Sequence, residues 1–237
     1  MKNFFKILPL FLISQIVYAQ TINEGVKFGL RAGANLSKIQ LSGQLASNEL
    51  KNGIKPLLSY NFGLYANIPI SKVFSFQPGL SIVGKGTKLE INRNDSLKTG
   101  LGIVKYNQIT KRELNIAYLE VPLNLIFNYE NFFIGAGPYV AYALFGTDKE
   151  SDEITLSTGA KVRDNNPPAK KIIIGNGDNA DIRPWDIGAN ATVGYQLNNG
   201  LNFSANYAIN LAKTDYRPGF DIQMSNRVLT FFVGFAF

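Results

Sequence analysis

Arg227-Val-Leu-Thr-Phe-Phe-Val-Gly-Phe-Ala-Phe237 is the stretch that decides the fold. Successive side chains of a strand point to opposite faces. Leu229, Phe231, Val233, Phe235 and Phe237 therefore share one face, and Val228, Thr230, Phe232, Gly234 and Ala236 share the other. One face is large and apolar, and the other is smaller on average. A soluble sandwich can bury such a strand but seldom ends its chain there. In a transmembrane barrel the pattern has a direct cause, because one face meets lipid and the other the lumen. A terminal Phe also suits the aromatic girdle at the membrane boundary.

The other end of the chain predicts the compartment. Met1-Lys-Asn-Phe-Phe-Lys6 is a short basic region, Ile7 to Val17 is mostly apolar, and Val17-Tyr18-Ala19 places small residues where a signal peptidase reads them. This pattern predicts a secretory signal peptide over residues 1–19, with cleavage after Ala19, and a single barrel domain over 20–237. The apolar run is broken by Pro9, Ser14 and Gln15 and is short for a span of about 30 Å. No later run approaches the length of a membrane-spanning helix. An exported chain of alternating strands points to the outer membrane of a Gram-negative cell, with the periplasm or exterior as the other destination.

Composition agrees with the membrane. The 237 residues include 22 Gly, 17 Phe and 11 Tyr, with no Cys and no His. Mean hydropathy is near zero, as expected when lumen residues dilute the lipid-facing ones. Without Cys, disulfides cannot stabilise an exported chain, so stability must come from a complete strand network. Net charge is +7, and removing Lys2 and Lys6 leaves about +5. A basic balance can signal nucleic acid. Here the charges gather in the connections, which instead predicts anionic lipopolysaccharide and outer-membrane lipid as neighbours and no nucleic-acid partner.

Working back from the terminal strand, seven more candidates alternate: Val26 to Ser37, Leu57 to Pro69, Val73 to about Ile91, about Ile103 to Asn128, Phe132 to Leu144, Pro184 to Leu197, and Leu201 to Leu211. The connections carry as much information. Ile70-Ser71-Lys72, Tyr129-Glu130-Asn131 and Asn198-Asn199-Gly200 are tight, whereas roughly 38–56, 92–102, 146–183 and 213–226 are longer and polar. Short periplasmic turns alternating with long external loops are the order of an outer-membrane barrel, with both termini on the periplasmic side. The predicted fold is an all-β, eight-stranded antiparallel transmembrane β-barrel. An even strand number lets the first and last strands pair and removes the sheet edges. Closing the barrel makes Phe237 a candidate determinant of targeting and of folding by the barrel assembly machinery.

The 146–183 connection reads as a hydrated external loop, within which Ile172-Ile173-Ile174 suggests a short strand packed across it. Its Asp and backbone oxygens raise calcium as an alternative, but the Asp-x-Asp-x-Asp-Gly spacing of an EF-hand is absent. The third and fourth strands have the length to continue above the bilayer as a hairpin around Asn94-Asp95.

No catalytic constellation is visible, and no cofactor or metal site is predicted. Without His there is no Ser-His-Asp triad and no imidazole zinc ligand, and without Cys there is no thiolate. Gly84-Lys-Gly86 and Gly135-Ala-Gly137 lie inside strands, where glycine marks a close approach or bend rather than a phosphate loop. Four charges face the predicted lumen: Arg31, Lys85, Glu120 and Asp186. Small barrels are just wide enough for side chains to fill them, and a charge inside must be paired or hydrated. Two bases and two acids predict a salt-bridge network, with Arg31 as the first expected partner of Glu120 and Lys85 the second.

Gly29-Leu-Arg-Ala-Gly-Ala-Asn-Leu-Ser37, Tyr118-Leu-Glu-Val-Pro-Leu123, Gly135-Ala-Gly-Pro-Tyr139 and Asp186-Ile-Gly-Ala-Asn190 together resemble the porin-like outer-membrane β-barrel family that includes the type IX secretion protein PorT. The resemblance covers the whole mature chain and rests mainly on the Tyr-Leu-Glu-Val-Pro piece. It implies an eight-stranded outer-membrane barrel and says little about activity. Two functions follow as expectations. One is a structural or surface-interaction barrel whose external loops meet an unnamed surface partner; the other is a narrow channel for small solutes.

Overall fold

Eight long strands carry the alternation into the computed structural model, which describes residues 25–42, 48–100, 102–177, 179–211, 214–215 and 223–237. They are β1 (Lys27–Ser42), β2 (Leu57–Pro69), β3 (Phe74–Thr99), β4 (Gly102–Tyr129), β5 (Phe132–Leu156), β6 (Trp185–Gln196), β7 (Leu201–Asn210) and β8 (Gln223–Ala236). Each pairs antiparallel with the next. β8 returns to β1, in register from Gly29↔Ala236 to Ser42↔Gln223. The backbones of Phe28 and Phe237 extend this seam by exchanging hydrogen bonds of 3.1 and 2.8 Å. The closed ring leaves no spanning backbone group to be satisfied by lipid. No helix among the described residues is long and apolar enough to cross a membrane. The predicted signal peptide lies outside the described residues.

Burial is inverted relative to a soluble protein. Phe28, Phe62 and Phe231 on the outer wall are 55–57% exposed, whereas Asn35, Lys85 and Thr230 inside are at most 1% exposed. Such a wall is stable where lipid covers it. Aromatic pairs mark both boundaries of that wall: Phe74–Phe127 and Phe132–Tyr195 near the short turns, Tyr142–Trp185 toward the long loops. Phe132 and Tyr142 are ten positions apart on β5. That is about 33 Å of strand, or about 25 Å at a tilt near 40°, the height of an outer-membrane apolar band.

The short connections are built as turns. Ile70 and Ser71 both donate their backbone N–H to the Phe74 carbonyl. The Ser71 hydroxyl accepts from Phe74 N at 3.0 Å. Gly200 has φ 90°, and a Cβ there would lie 2.3 Å from the Ala236 carbonyl oxygen, so glycine is required.

Outside the membrane the strands run further than the sequence suggests. The β3–β4 hairpin does not turn at Asn94-Asp95, because those residues pair with Asn107 and Tyr106 and the ladder continues to Thr99↔Gly102. β5 does not end at Leu144 but continues to Leu156, and Lys161–Asn165 folds back onto it. The 146–183 segment is thus a hairpin followed by a strap, not a loop throughout. An extra residue at Leu144 sets Ala117↔Phe145 beside Tyr118↔Ala143, a bulge of the kind that bends a strand at a barrel rim. Ile82, Leu119 and Tyr142 share one rung at the outer boundary, and Thr99 lies 17 positions beyond Ile82. This is about 55 Å of strand. The external parts of β3, β4 and β5 form a fin standing on one side of the barrel. A short helix, α1 (Asn48–Gly53), sits in the β1–β2 connection, and Ile54–Lys55 pairs with the base of the fin at Leu89 and Lys88.

Deleting Phe237 is expected to reduce the amount of folded, heat-modifiable protein in the outer membrane, because the deletion removes the last hydrogen bonds of the β1–β8 seam. Normal assembly of the truncated chain would refute this role.

Candidate functional site

The lumen is filled in tiers. At the level of the outer boundary Lys85 is 1% exposed, with Nζ 2.7 Å from Glu120 Oε2 and 2.9 Å from Asp186 Oδ2. The ammonium also lies 4.2 Å from the Tyr139 ring centroid and 5.2 Å from that of Tyr118. Tyr139 donates its hydroxyl to Asp186 Oδ1 at 3.3 Å, and Asn210 Nδ2 donates to the same oxygen. A lysine enclosed by two carboxylates and two aromatic faces has its charge met from every side. Alternation places these residues: Lys85, Glu120, Tyr118, Tyr139 and Asp186 all occupy inward positions of β3, β4, β5 and β6.

The sequence-predicted network is therefore three-quarters assembled. Lys85, Glu120 and Asp186 form the ion triad, but Arg31 makes no ion pair with Glu120 or with any other described carboxylate. The expected order of partners is corrected: Lys85 takes Glu120. Arg31 lies lower, where its guanidinium stacks 4.8 Å from the Phe232 ring centroid and 5.9 Å from that of Tyr65. Both cross-strand neighbours of Arg31 are glycines, Gly63 and Gly234, which leave room for the planar group. Two carboxylates around one lysine leave one excess negative charge, which Arg31 balances without contact.

Below the triad, on the side of the short turns, a cavity of about 30 Å³ remains beside Arg31, Tyr65 and Asn202. This is room for about one water. Near the base of the fin, Asn35 Nδ2 donates to the carbonyls of Tyr60 and Gly84 at 2.9 and 3.0 Å, tying β1, β2 and β3 together. Above the triad the external strap enters the mouth. Ile172 and Ile182 are buried against Ile116, Tyr118, Tyr139, Ala143 and Val228. Backbone bonds from Ile172 N to Gly146 O (3.0 Å) and from Asp181 N to Ile173 O (2.8 Å) hold the strap. The predicted strand over 172–174 is only a single bridge, Ile174↔Ile182, and the strap acts as an apolar plug.

Sequence reasoning missed Tyr139, Asn210 and the plug as lumen partners. Alternation along β5 already pointed Tyr139 inward, but nothing periodic marks Ile172 or Ile182. Among the described residues no group of three or more acidic side chains is arranged to hold a metal ion.

An inverted wall, a sealed ring and a polar lumen describe an outer-membrane barrel, and a family model supports that description independently. The model of the outer membrane protein beta-barrel domain matches residues 18–216. The chain belongs to that family. A search of curated proteins finds no match. Among solved structures, the chain is similar to the attachment invasion locus protein Ail of Yersinia pestis, crystallised with the heparin analogue sucrose octasulfate. That match has 9% identity and a TM-score of 0.37, covering 89% of this chain and 99% of the other. Neisserial surface protein A matches at 13% identity and a TM-score of 0.35, covering 90% and 100%. The Escherichia coli outer membrane protease OmpT matches at 12% identity and a TM-score of 0.33, covering 90% and 96%. The protein is an outer-membrane β-barrel, and its lipid-facing wall, lumen and fin take their orientation from that membrane.

Proposed function

We propose that this barrel is a closed, non-enzymatic platform that carries a rigid fin above the outer membrane for contact with other surface molecules. The observation that carries the reading is the fin itself. Bidentate Arg112–Asp148 hydrogen bonds of 2.5–3.1 Å brace β4 against β5. Lys161–Glu153 (2.8 Å) and Arg163–Asp152 (3.3 Å) hold the folded-back strand. Arg93 grips Glu49 at 2.5 Å and so ties α1 to the fin. The Arg93 hydrogen bond holds the Glu49 carboxyl below its ordinary value, and Lys161 does the same for Glu153. Groups depressed in this way contribute stability above their ordinary values and lose it as pH falls through the depressed ones, so both clips are intact at neutral pH. At the tip, Leu97 and Val104 face each other across the hairpin and are exposed together with Ile103.

The alternative, a narrow solute channel, is disfavoured by the triad and plug, whose buried side chains occupy the lumen at two successive levels. The absence of His and Cys from the chain supports a non-enzymatic role.

Photo-crosslinking on intact cells tests the reading. A photoreactive residue at Leu97 or Val104 should give adducts of defined mass, whereas the lipid-facing position Leu123 should give lipid adducts only. A silent fin would contradict the proposal.

A further inference from the structure

Two features of the outer wall coincide around β8, β1 and β3. The first is a set of opposed like charges. Lys38 of β1 lies directly opposite Arg227 of β8, and Lys55 directly opposite Lys88 of β3. All four are exposed. Lys38 follows outward Ala34 and Leu36, Arg227 precedes outward Leu229 and Phe231, and Lys88 shares the face of Leu80 and Ile82. The cations thus form an arc on the side of the long loops that rises from Lys38 and Arg227, just above the apolar band, to Lys55 and Lys88 at the base of the fin, Lys88 lying six positions beyond the boundary residue Ile82. Lys88 reaches Glu113 at 3.2 Å, while the side chains of Lys38, Lys55 and Arg227 have no carboxylate partner among the described residues. Directly opposed residues sit about 5 Å apart, and like charges in that position are destabilising unless an anion joins them.

The second feature lies below that arc. Centred on β8, β1, β2 and β3, and reaching Leu201 of β7 and Leu119 of β4, the lipid-facing wall carries a depression of about 630 Å³. Ala32 lies between Phe62 and Val233 in register and forms its floor, and Leu30, Leu80 and Phe235 complete the sides. Six positions separate Ala32 from Lys38, about 20 Å of strand and about 15 Å of depth after tilt. That is half the thickness of a hydrocarbon core. Lys38 and Arg227 therefore stand at head-group level of the external leaflet, and the groove reaches the middle of the bilayer.

We infer that this face is a specific site for one phosphorylated lipid of the outer leaflet. Lys38 and Arg227 hold a phosphate, Lys55 extends the basic arc, and an acyl chain lies over Ala32. The phosphate relieves the like-charge repulsion, and the groove selects a lipid over a free anion. This site requires only that the chain be an outer-membrane barrel; it does not depend on what the fin contacts.

Native mass spectrometry of the folded full-length protein, titrated with diphosphoryl lipid A, tests the inference. A 1:1 adduct is expected that survives excess inorganic phosphate and is lost with dephosphorylated lipid A. At about a fivefold effect per interfacial cation, Lys38→Gln with Arg227→Gln should weaken binding about thirtyfold. Ala32→Phe, which fills the groove and keeps the charges, should also weaken it. Lys27→Gln with Lys72→Gln, at the opposite boundary, should bind as the parent does. Heat-modifiable migration of every variant registers loss of the barrel separately from loss of the site. Equal binding of dephosphorylated lipid, displacement by inorganic phosphate, or unchanged binding by both the charge and the groove variants would each overturn the inference. Should the charge variant not fold, the dephosphorylated lipid and Ala32→Phe decide.

Discussion

Lys85→Met should produce the largest stability loss of any lumen substitution. Lys85 is fully buried and stands between Glu120 and Asp186. Methionine keeps much of its length but leaves two buried carboxylates facing each other with no cation between them. Breaking a buried pair on one side costs about 3–5 kcal/mol, and here two acids are stranded at once. Urea unfolding in lipid vesicles, with the folded fraction read from heat-modifiable migration, measures the loss. Adding Glu120→Gln should return part of it, because one stranded charge is then removed. If the two substitutions were strictly additive, the contacts in the triad would carry no coupling energy.

Gly86→Val should be the second most damaging change, through sterics rather than charge. A Cβ at Gly86 would stand 1.9 Å from the Leu114 carbonyl oxygen and 2.9 Å from Leu57 Cδ2. The backbone of Gly86 cannot retreat without loss, since its N–H donates to Ser37 Oγ at 2.8 Å and its carbonyl accepts from the same hydroxyl at 2.8 Å. These bonds join β3 to β1 above the start of β2. Overpacking against backbone is expected to cost about 3 kcal/mol or more, or to prevent assembly. Gly100→Val at the hairpin tip, where nothing lies within 4 Å, should change stability by less than about 0.5 kcal/mol in the same assay. Equal tolerance at the two positions would contradict the packing described.

Where lipid imposes a period of two, the strands were legible. β2 runs from Leu57 to Pro69 as its alternation predicts, and Asn198-Asn199-Gly200 is the turn that its residues suggest. Above the membrane both faces meet water, the period disappears, and Asn92 to Ser96 resemble a turn although they are paired strand. Asp148, Glu150, Asp152 and Glu153 read as a hydrated loop for the same reason. Arg112, Arg163 and Lys161, which compensate three of those carboxylates, are 8 to 36 residues away in sequence. The inward direction of Arg31, Lys85, Glu120 and Asp186 was legible too. Their partners depend on the relative stagger of β1, β3, β4 and β6, which no single strand encodes. Arg31 consequently fell to a stacking position and Lys85 to the triad.

Planar-bilayer recording of the purified, folded protein tests the closed lumen most directly. The triad of Lys85, Glu120 and Asp186 below the plug of Ile172 and Ile182 predicts a silent membrane at neutral pH. Ile172→Asp together with Ile182→Asp should leave it silent, because the triad still fills the lumen. Stable, ohmic unitary currents from the unaltered protein would contradict the account and restore the channel reading.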